Sequence, residues 1–208
     1  MTVFSLHPVK HIAAGEGGVV TTNDEKLYQQ LCLLRSHGIT RDVDRMEKND
    51  GPWYYEMQAL GFNYRITDFQ CALALSQLKK LDAFVARRRA IALRYQQAFQ
   101  DEPALGLLSE RPQVVSSYHL FVILVLGPDR AELFKALRDE NIGVNVHYIP
   151  VHLQPFYRKN YGCRAGDYPL AEDYYRRAIT IPLYPAMSDD DVGLVIETVC
   201  RRVKALSS

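Results

Sequence analysis

A primary amine on a stiff stretch of backbone can condense with a carbonyl and then carry a proton, and one lysine near the start of this sequence has that setting. Lys10 lies two residues after Pro8 and five before Gly15-Glu16-Gly17-Gly18, so a fixed φ stands on one side and a glycine turn on the other. Ser5 is close enough along the chain to donate its hydroxyl to an anion such as phosphate. The glycines match neither the GxGxxG pattern nor a phosphate loop ending in Gly-Lys-Ser/Thr. On residue types alone, a surface lysine beside a turn remains an alternative account of Lys10.

Two further groups could grip anions. In Gly61-Phe-Asn-Tyr-Arg-Ile-Thr-Asp68, the amide of Asn63 and the planar guanidinium of Arg65 can meet phosphate oxygens at fixed angles. Arg65 serves equally well as a structural ion-pair partner. His147 and Tyr148 close the alternating run Val144–Tyr148, and Pro150-Val-His152 then fixes the chain over the same cleft, for which a nucleotide diphosphate is a natural ligand. His147 and His152 lack a third ligand at a recognisable spacing, so no metal is expected. His37, between Arg35-Ser36 and Gly38, is either near the site or a capping or core residue.

The elements that must hold these residues read as follows. The first four residues run into the Ser5–Lys10 segment with no element before it, as though the chain began in mid-fold. Val19–Thr22 is a strand, and Asn23 or Asp24 caps a helix with Leu27, Leu31 and Leu34 at helical spacing. Residues 38 to 61, with Gly51-Pro52 and Trp53-Tyr54-Tyr55, form a long irregular excursion. A helix starts at Thr67; its Cys71–Leu75 run, apolar on nearly every face, predicts burial against its own domain or a second subunit, and Leu78, Leu81 and Val85 continue the stripe. Lys79-Lys80 and Arg87-Arg88-Arg89 read as solvated. After a connector at 103–112 come a buried strand over Tyr118–Leu126, a helix over 129–141 facing inward with Leu133, Phe134 and Leu137, and a last helix. That helix is capped by Ser188, carries three aspartates in its first turn and turns Val192, Val195, Ile196, Val199 and Val203 inward. Two domains are expected, 1–112 and 113–208.

Composition narrows the partners. With 48% hydrophobic and 24% charged residues, the 208-residue chain can bury a core, and 25 basic against 24 acidic side chains give no field selecting nucleic acid or an anionic membrane. No apolar run approaches the roughly 20 residues that span a bilayer. Four scattered cysteines without a CxxC pair predict reduced thiols and a cytoplasmic setting.

Ser5-Leu-His-Pro-Val-Lys-His-Ile-Ala-Ala-Gly-Glu-Gly-Gly18 closely resembles the lysine segment of the DegT/DnrJ/EryC1/StrS aminotransferases, and Gly61–Asp68 resembles a second family segment at the expected distance. The resemblance implies an α/β fold, the carboxyl-terminal half of a fold type I transferase dependent on pyridoxal 5'-phosphate (PLP). It further implies that Lys10 bears the cofactor, Ser5 binds its phosphate and Asn63 reaches the phosphate of the neighbouring subunit in a homodimer with shared sites. Gly51–Glu56, Leu75–Lys79 and Gly143–Tyr157 look like the branch that makes the pseudaminic acid precursor. That implies a UDP-linked 4-keto-6-deoxy-N-acetylhexosamine converted to its 4-amino sugar with L-glutamate as donor, and Arg65, His147 and Tyr148 as substrate contacts. Family members carry a further portion before the lysine segment, which supplies the aspartate under the pyridine nitrogen and the ring-stacking residue. Two expectations follow: an enzyme half whose missing part is supplied by another chain or lost through a misplaced start or frameshift, or a non-catalytic remnant that folds or dimerises.

Overall fold

β1 (Thr2–Ser5) pairs antiparallel with β2 (Gly18–Thr21), with Ser5 opposite Gly18, so an element stands where the sequence suggested none before the lysine segment. The computed structural model describes residues 1 to 207 and gathers them into two compact units, Met1–Leu81 and the remainder from Asp82.

In the first unit, α1 (Glu25–Arg35) is capped by Asp24, whose carboxylate accepts the Leu27 N–H at 3.1 Å. None of its residues is buried, so Leu27, Leu31 and Leu34 are only half covered. The excursion is irregular over most of its length, as expected, but short elements and side-chain bonds pin it. β3 (Ile39–Thr40) pairs with β4 (Glu56–Met57), and the Glu56 carboxylate accepts the backbone N–H groups of Glu47 and Lys48, the Tyr54 hydroxyl and the Gln58 amide. The Glu47 N–H is the largest of the influences that hold this carboxyl below its usual range.

Backbone meets backbone where the excursion closes. His37 donates its N–H to Phe62 O at 2.8 Å, Phe62 to Leu34 O at 2.7 Å and Tyr64 to Arg35 O at 2.9 Å. Gly38 has φ +70°, and a Cβ there would lie 1.7 Å from the Ala59 carbonyl oxygen; one on Gly61 would lie 2.1 Å from the Gly38 nitrogen. Gly38→Ala is therefore expected to unfasten this crossing, whereas Gly15→Ala, at φ +82° with nothing within 4 Å, carries only the left-handed backbone penalty of roughly 1–2 kcal/mol. Amide hydrogen exchange at His37 and Phe62 checks this: equal protection in the two variants would refute it.

α2 (Asp68–Leu78) begins at a reciprocal cap in which Thr67 and Gln70 satisfy each other's backbone. It stops earlier than the apolar stripe suggested, since Lys80 N–H turns back to Gln77 O and α3 (Leu81–Phe99) starts afresh. The expected burial of α2 is not met within this chain: Phe69, Leu73, Leu75 and Leu78 are exposed.

The second unit is an antiparallel sheet with helices around it. β5 (Leu105–Leu107), β6 (Phe121–Val125) and β7 (Ala178–Ile181) lie in the order β5-β6-β7. Ile91, Tyr95 and Phe99 of α3 share one core with Phe121, Ile123, Ile179 and Ile181, with Leu133 and Leu137 of α4 (Arg130–Asp139) and with Val192, Val199 and Val203 of α7 (Asp189–Ser207). The sequence boundary at 112/113 groups α3 with the first portion; its contacts group it with the second unit. Two short helices, α5 (Pro155–Tyr161) and α6 (Pro169–Arg177), intervene before β7. Ser188 caps α7 as expected, its hydroxyl accepting the Asp191 N–H at 3.0 Å while the Asp191 carboxylate accepts the Ser188 N–H at 2.8 Å. Glu140 pairs with Arg201 and Arg202 of the same helix.

Of the arginine run, Arg89 is exposed as expected, but Arg87 is half-buried and Arg88 is buried. Arg88 is buried and its Nη1 reaches the carbonyls of Tyr118, His119 and Leu183 at 3.2, 3.1 and 2.9 Å. Arg87 binds the Met187 carbonyl and Asp189, and Arg89 Nε donates to Ser116 O. A guanidinium on a long stem is what chain ends with unpaired carbonyls can use, and a run of like charges conceals that role in sequence.

Candidate functional site

The lysine segment is a hairpin loop pinned by its own main chain. Leu6 N–H donates to Gly17 O, Ala14 N–H to Leu6 O and Lys10 N–H to His7 O, each at 2.9 Å. The last bond closes a turn with Pro8 in the second place, where its preset φ belongs. Leu6 and Ala14 are buried and root the loop. Lys10 is half-buried, and its ammonium makes no hydrogen bond or ion pair among the described residues. Ser5 Oγ accepts the His7 N–H at 3.3 Å, which leaves its hydroxyl proton for a ligand.

The returning arm of the loop rests on the segment that carries Asn63 and Arg65. A Cβ on Gly17, at φ +136°, would lie 2.7 Å from Ile66 Cδ1, and Gln70 Nε2 donates to Glu16 O at 3.0 Å. Asn63 forms a β-bridge with Ser36, flanked by the bonds from Tyr64 and His37 described above. The side chains of Asn63 and Arg65 are exposed and make no side-chain hydrogen bond or ion pair among the described residues, so the ion-pair alternative for Arg65 finds no partner here. Phe62 and Tyr64 stack on one another, ring centroids 4.8 Å apart. His37, at φ +62°, takes the end-of-helix role left open for it by sequence.

His147 and Tyr148 belong to the second unit. The expected strand over Val144–Tyr148 shrinks to one bridge, Asn145 to Thr180, because the Asn145 side-chain oxygen takes the Val146 N–H at 2.8 Å and so competes with ladder pairing. His147 Nδ1 lies 2.8 Å from Thr180 Oγ1, and burial pushes the imidazole pKa below its ordinary value. Tyr148 is 72% exposed and stands edge-on to the His147 ring. His152 is buried instead, its Nε2 2.8 Å from Glu172 Oε1, which also accepts the Gly166 N–H at 2.7 Å. The His152 bond first, and that N–H next, hold the Glu172 carboxyl below its usual range. Thus Ser5, Lys10, Asn63 and Arg65 share the first unit, and His147 and Tyr148 lie in the second. Thr180 and Glu172, which orient the two histidines, escaped the sequence reading because nothing local marks a threonine or glutamate whose partner is 20 or more residues away.

No group of three His, Cys, Asp or Glu side chains among the described residues could hold a metal ion, and no helix there is long and apolar enough to cross a membrane. A half-buried amine without a counterion, on the same hairpin as a hydroxyl with a proton to give, suits a ligand that brings both an aldehyde and an anionic group.

The sequence pattern of the DegT/DnrJ/EryC1/StrS aminotransferase family matches residues 1–200. The spore coat polysaccharide biosynthesis protein SpsC of Bacillus subtilis is 44% identical over 98% of this chain and 54% of its own length. A UDP-4-amino-4,6-dideoxy-N-acetyl-beta-L-altrosamine transaminase of Campylobacter jejuni is 36% identical over 96% of this chain and 51% of its own. The chain thus spans about half the length of the curated relatives it matches. Among solved structures, PseC of Helicobacter pylori, an aminotransferase involved in pseudoaminic acid biosynthesis, superimposes with a TM-score of 0.83 at 30% identity, over 98% of this chain and 53% of that one. Spr1654 of Streptococcus pneumoniae, described as a sugar aminotransferase and solved in a PLP form, superimposes with a TM-score of 0.86 at 30% identity, over 100% of this chain and 52% of its own.

Proposed function

Because the chain belongs to the DegT/DnrJ/EryC1/StrS aminotransferase family, whose cofactor is PLP, we propose that it carries the lysine-bearing half of an amino transfer to a nucleotide-linked keto-sugar. The architecture agrees, being part of a fold type I domain with α/β elements. The proposed acceptor is a UDP-linked 4-keto-6-deoxy-N-acetylhexosamine and the proposed donor L-glutamate. Gly143–Tyr157 and the likeness to the C. jejuni and H. pylori proteins support that choice. Four free cysteines accord with a cytoplasmic setting.

The observation that carries the proposal is the Lys10 amine, uncompensated by any carboxylate and held by a loop with three main-chain bonds. When bound, PLP supplies an aldehyde that takes up the amino group and a ring that delocalises the electrons freed from the substrate carbon. Lys10 Nζ tethers the aldehyde at rest and moves a proton once displaced. Ser5 Oγ donates to the phosphate, and the Asn63 amide does so from the neighbouring subunit. Arg65 forks onto diphosphate oxygens, and His147 and Tyr148 contact the sugar nucleotide. Borohydride reduction with PLP, in an enzyme that includes the portion preceding the lysine segment in relatives, followed by peptide mapping, tests this. The expected label is on Lys10, and label confined to another lysine would overturn the assignment.

The exposed apolar side of α2, which follows directly on Asn63 and Arg65, supports a homodimer with composite sites. It also favours a second reading, in which this chain by itself is a dimerising, non-catalytic fragment. Mixing inactive Lys10→Ala with inactive Asn63→Ala subunits separates the two. In a shared-site dimer one site regains both groups, so activity recovers toward a quarter to a half of wild type, an order-of-magnitude expectation from two-fold symmetry. Heterodimers that form without recovery would refute the crossing of Asn63.

A further inference from the structure

Thr180 is buried in the middle of β7, and both its main-chain groups are taken by Asn145: the Thr180 N–H donates to Asn145 O at 2.7 Å, and the Thr180 carbonyl oxygen accepts the Asn145 N–H at 3.1 Å. Its neighbours Ile179 and Ile181 point into the core, so the period of the strand turns the Thr180 side chain to the opposite face. There its hydroxyl meets His147 Nδ1 at 2.8 Å, its only hydrogen bond from the side chain among the described residues.

A hydrogen bond between a hydroxyl and an imidazole nitrogen has two directions, with different consequences. If His147 Nδ1–H donated, the Thr180 hydroxyl proton would need an acceptor of its own, and none is offered among the described residues. If the hydroxyl donates to Nδ1, that proton is satisfied and only oxygen lone pairs stay unfilled, the cheaper omission in a buried place. We infer that Thr180 is a positioning residue that fixes His147 as the neutral tautomer with its proton on Nε2, making the ring a hydrogen-bond donor to an acceptor oxygen of the sugar nucleotide. The inference rests on the reading of His147 as a substrate residue. Partial burial of the ring disfavours its cationic form in the same sense. A donor without charge reads the direction of a sugar or phosphate oxygen without adding a cation there.

Nitrogen-15 long-range correlation spectra of the 208-residue chain at pH 8 read the tautomer directly, with the His147 signals among the six histidines assigned by their loss in His147→Gln. The expected spectrum has a pyrrole-type Nε2 and a pyridine-type Nδ1. Thr180→Val, which keeps the buried shape, is expected to move both signals toward the averaged positions of a free imidazole, and Thr180→Ser to keep the wild-type pattern. A pyrrole-type Nδ1 in the wild type, or an unchanged tautomer in Thr180→Val, overturns the inference. In the assembled enzyme, Thr180→Val should raise KM for the sugar nucleotide roughly tenfold, the worth of one hydrogen bond, with kcat less affected and Thr180→Ser near wild type. If the tautomer shifts as expected but neither Thr180→Val nor His147→Gln alters KM, the substrate role of His147 falls and the donor role assigned to its Nε2 falls with it, while the Thr180 contact itself stands.

Discussion

Replacing Lys10 by alanine in the assembled enzyme is expected to lower amino transfer by roughly two to four orders of magnitude, the usual worth of a positioned proton carrier. The loss should appear in kcat rather than in KM for the sugar nucleotide, because the role proposed for Lys10 is at the reacting atoms and not at the nucleotide. No nearby lysine can substitute. Lys26 is next along the chain, but it lies exposed on α1, beyond both arms of the hairpin. Lys26→Ala is therefore expected to behave as wild type. A coupled assay of glutamate consumption decides the matter: a Lys10→Ala enzyme within tenfold of wild type would end the assignment, and with it the role given to Ser5.

The largest effect on stability is expected at Arg88. Methionine fills much of the volume of the arginine stem but leaves the carbonyls of Tyr118, His119 and Leu183 without their shared donor. The Leu183 bond is buried and the other two are part-buried; at the lower end of about 1–3 kcal/mol for an unpaired buried group, the sum is at most about 3 kcal/mol, or a fall in Tm of up to roughly 10 °C for a unit of this size. Arg89→Met removes one bond at an exposed position, Arg89 Nε to Ser116 O, and should shift Tm by a few degrees at most. Calorimetry on the 208-residue chain distinguishes them. Equal shifts would mean that the three carbonyls find other donors, and that Arg88 is not what joins the entry of β6 to the segment after β7.

What was legible in the sequence was mainly what is local. Asn23 or Asp24, Thr67 and Ser188 announced helix starts because a cap and its target lie within three residues, and the apolar periods of α4 and α7 named Leu133, Leu137, Val192 and Val199 as core. The lysine loop was legible too, since Pro8 and the glycines act on the backbone beside them. What depends on distant partners was not. Arg88 looked solvated because its three acceptors lie 30 or more residues downstream. The strand at Val144–Tyr148 looked complete because alternation does not reveal that Asn145 will spend its side chain on the next amide. The apolar run of α2 announced a helix buried against its own domain or a second subunit, and among the described residues no surface covers Phe69, Leu73, Leu75 and Leu78. For the candidate site, residue types pointed to Lys10, Ser5, Asn63 and Arg65, but the means of holding them, Gly38 against Ala59 and Gly17 against Ile66, only emerged in three dimensions.

The crossing at Gly38 and Gly61 bears on how such a protein can diverge. It ties the two ends of the excursion together through main-chain atoms, so residues 39 to 60 hang from a closed junction. The free energy of closing such a loop rises only slowly with its length. A lineage can therefore lengthen, shorten or rewrite the part that displays Trp53 and Tyr55 while Asn63 and Arg65 keep their station. The excursion is free to change in length and composition while the residues proposed for the site stay where the junction holds them.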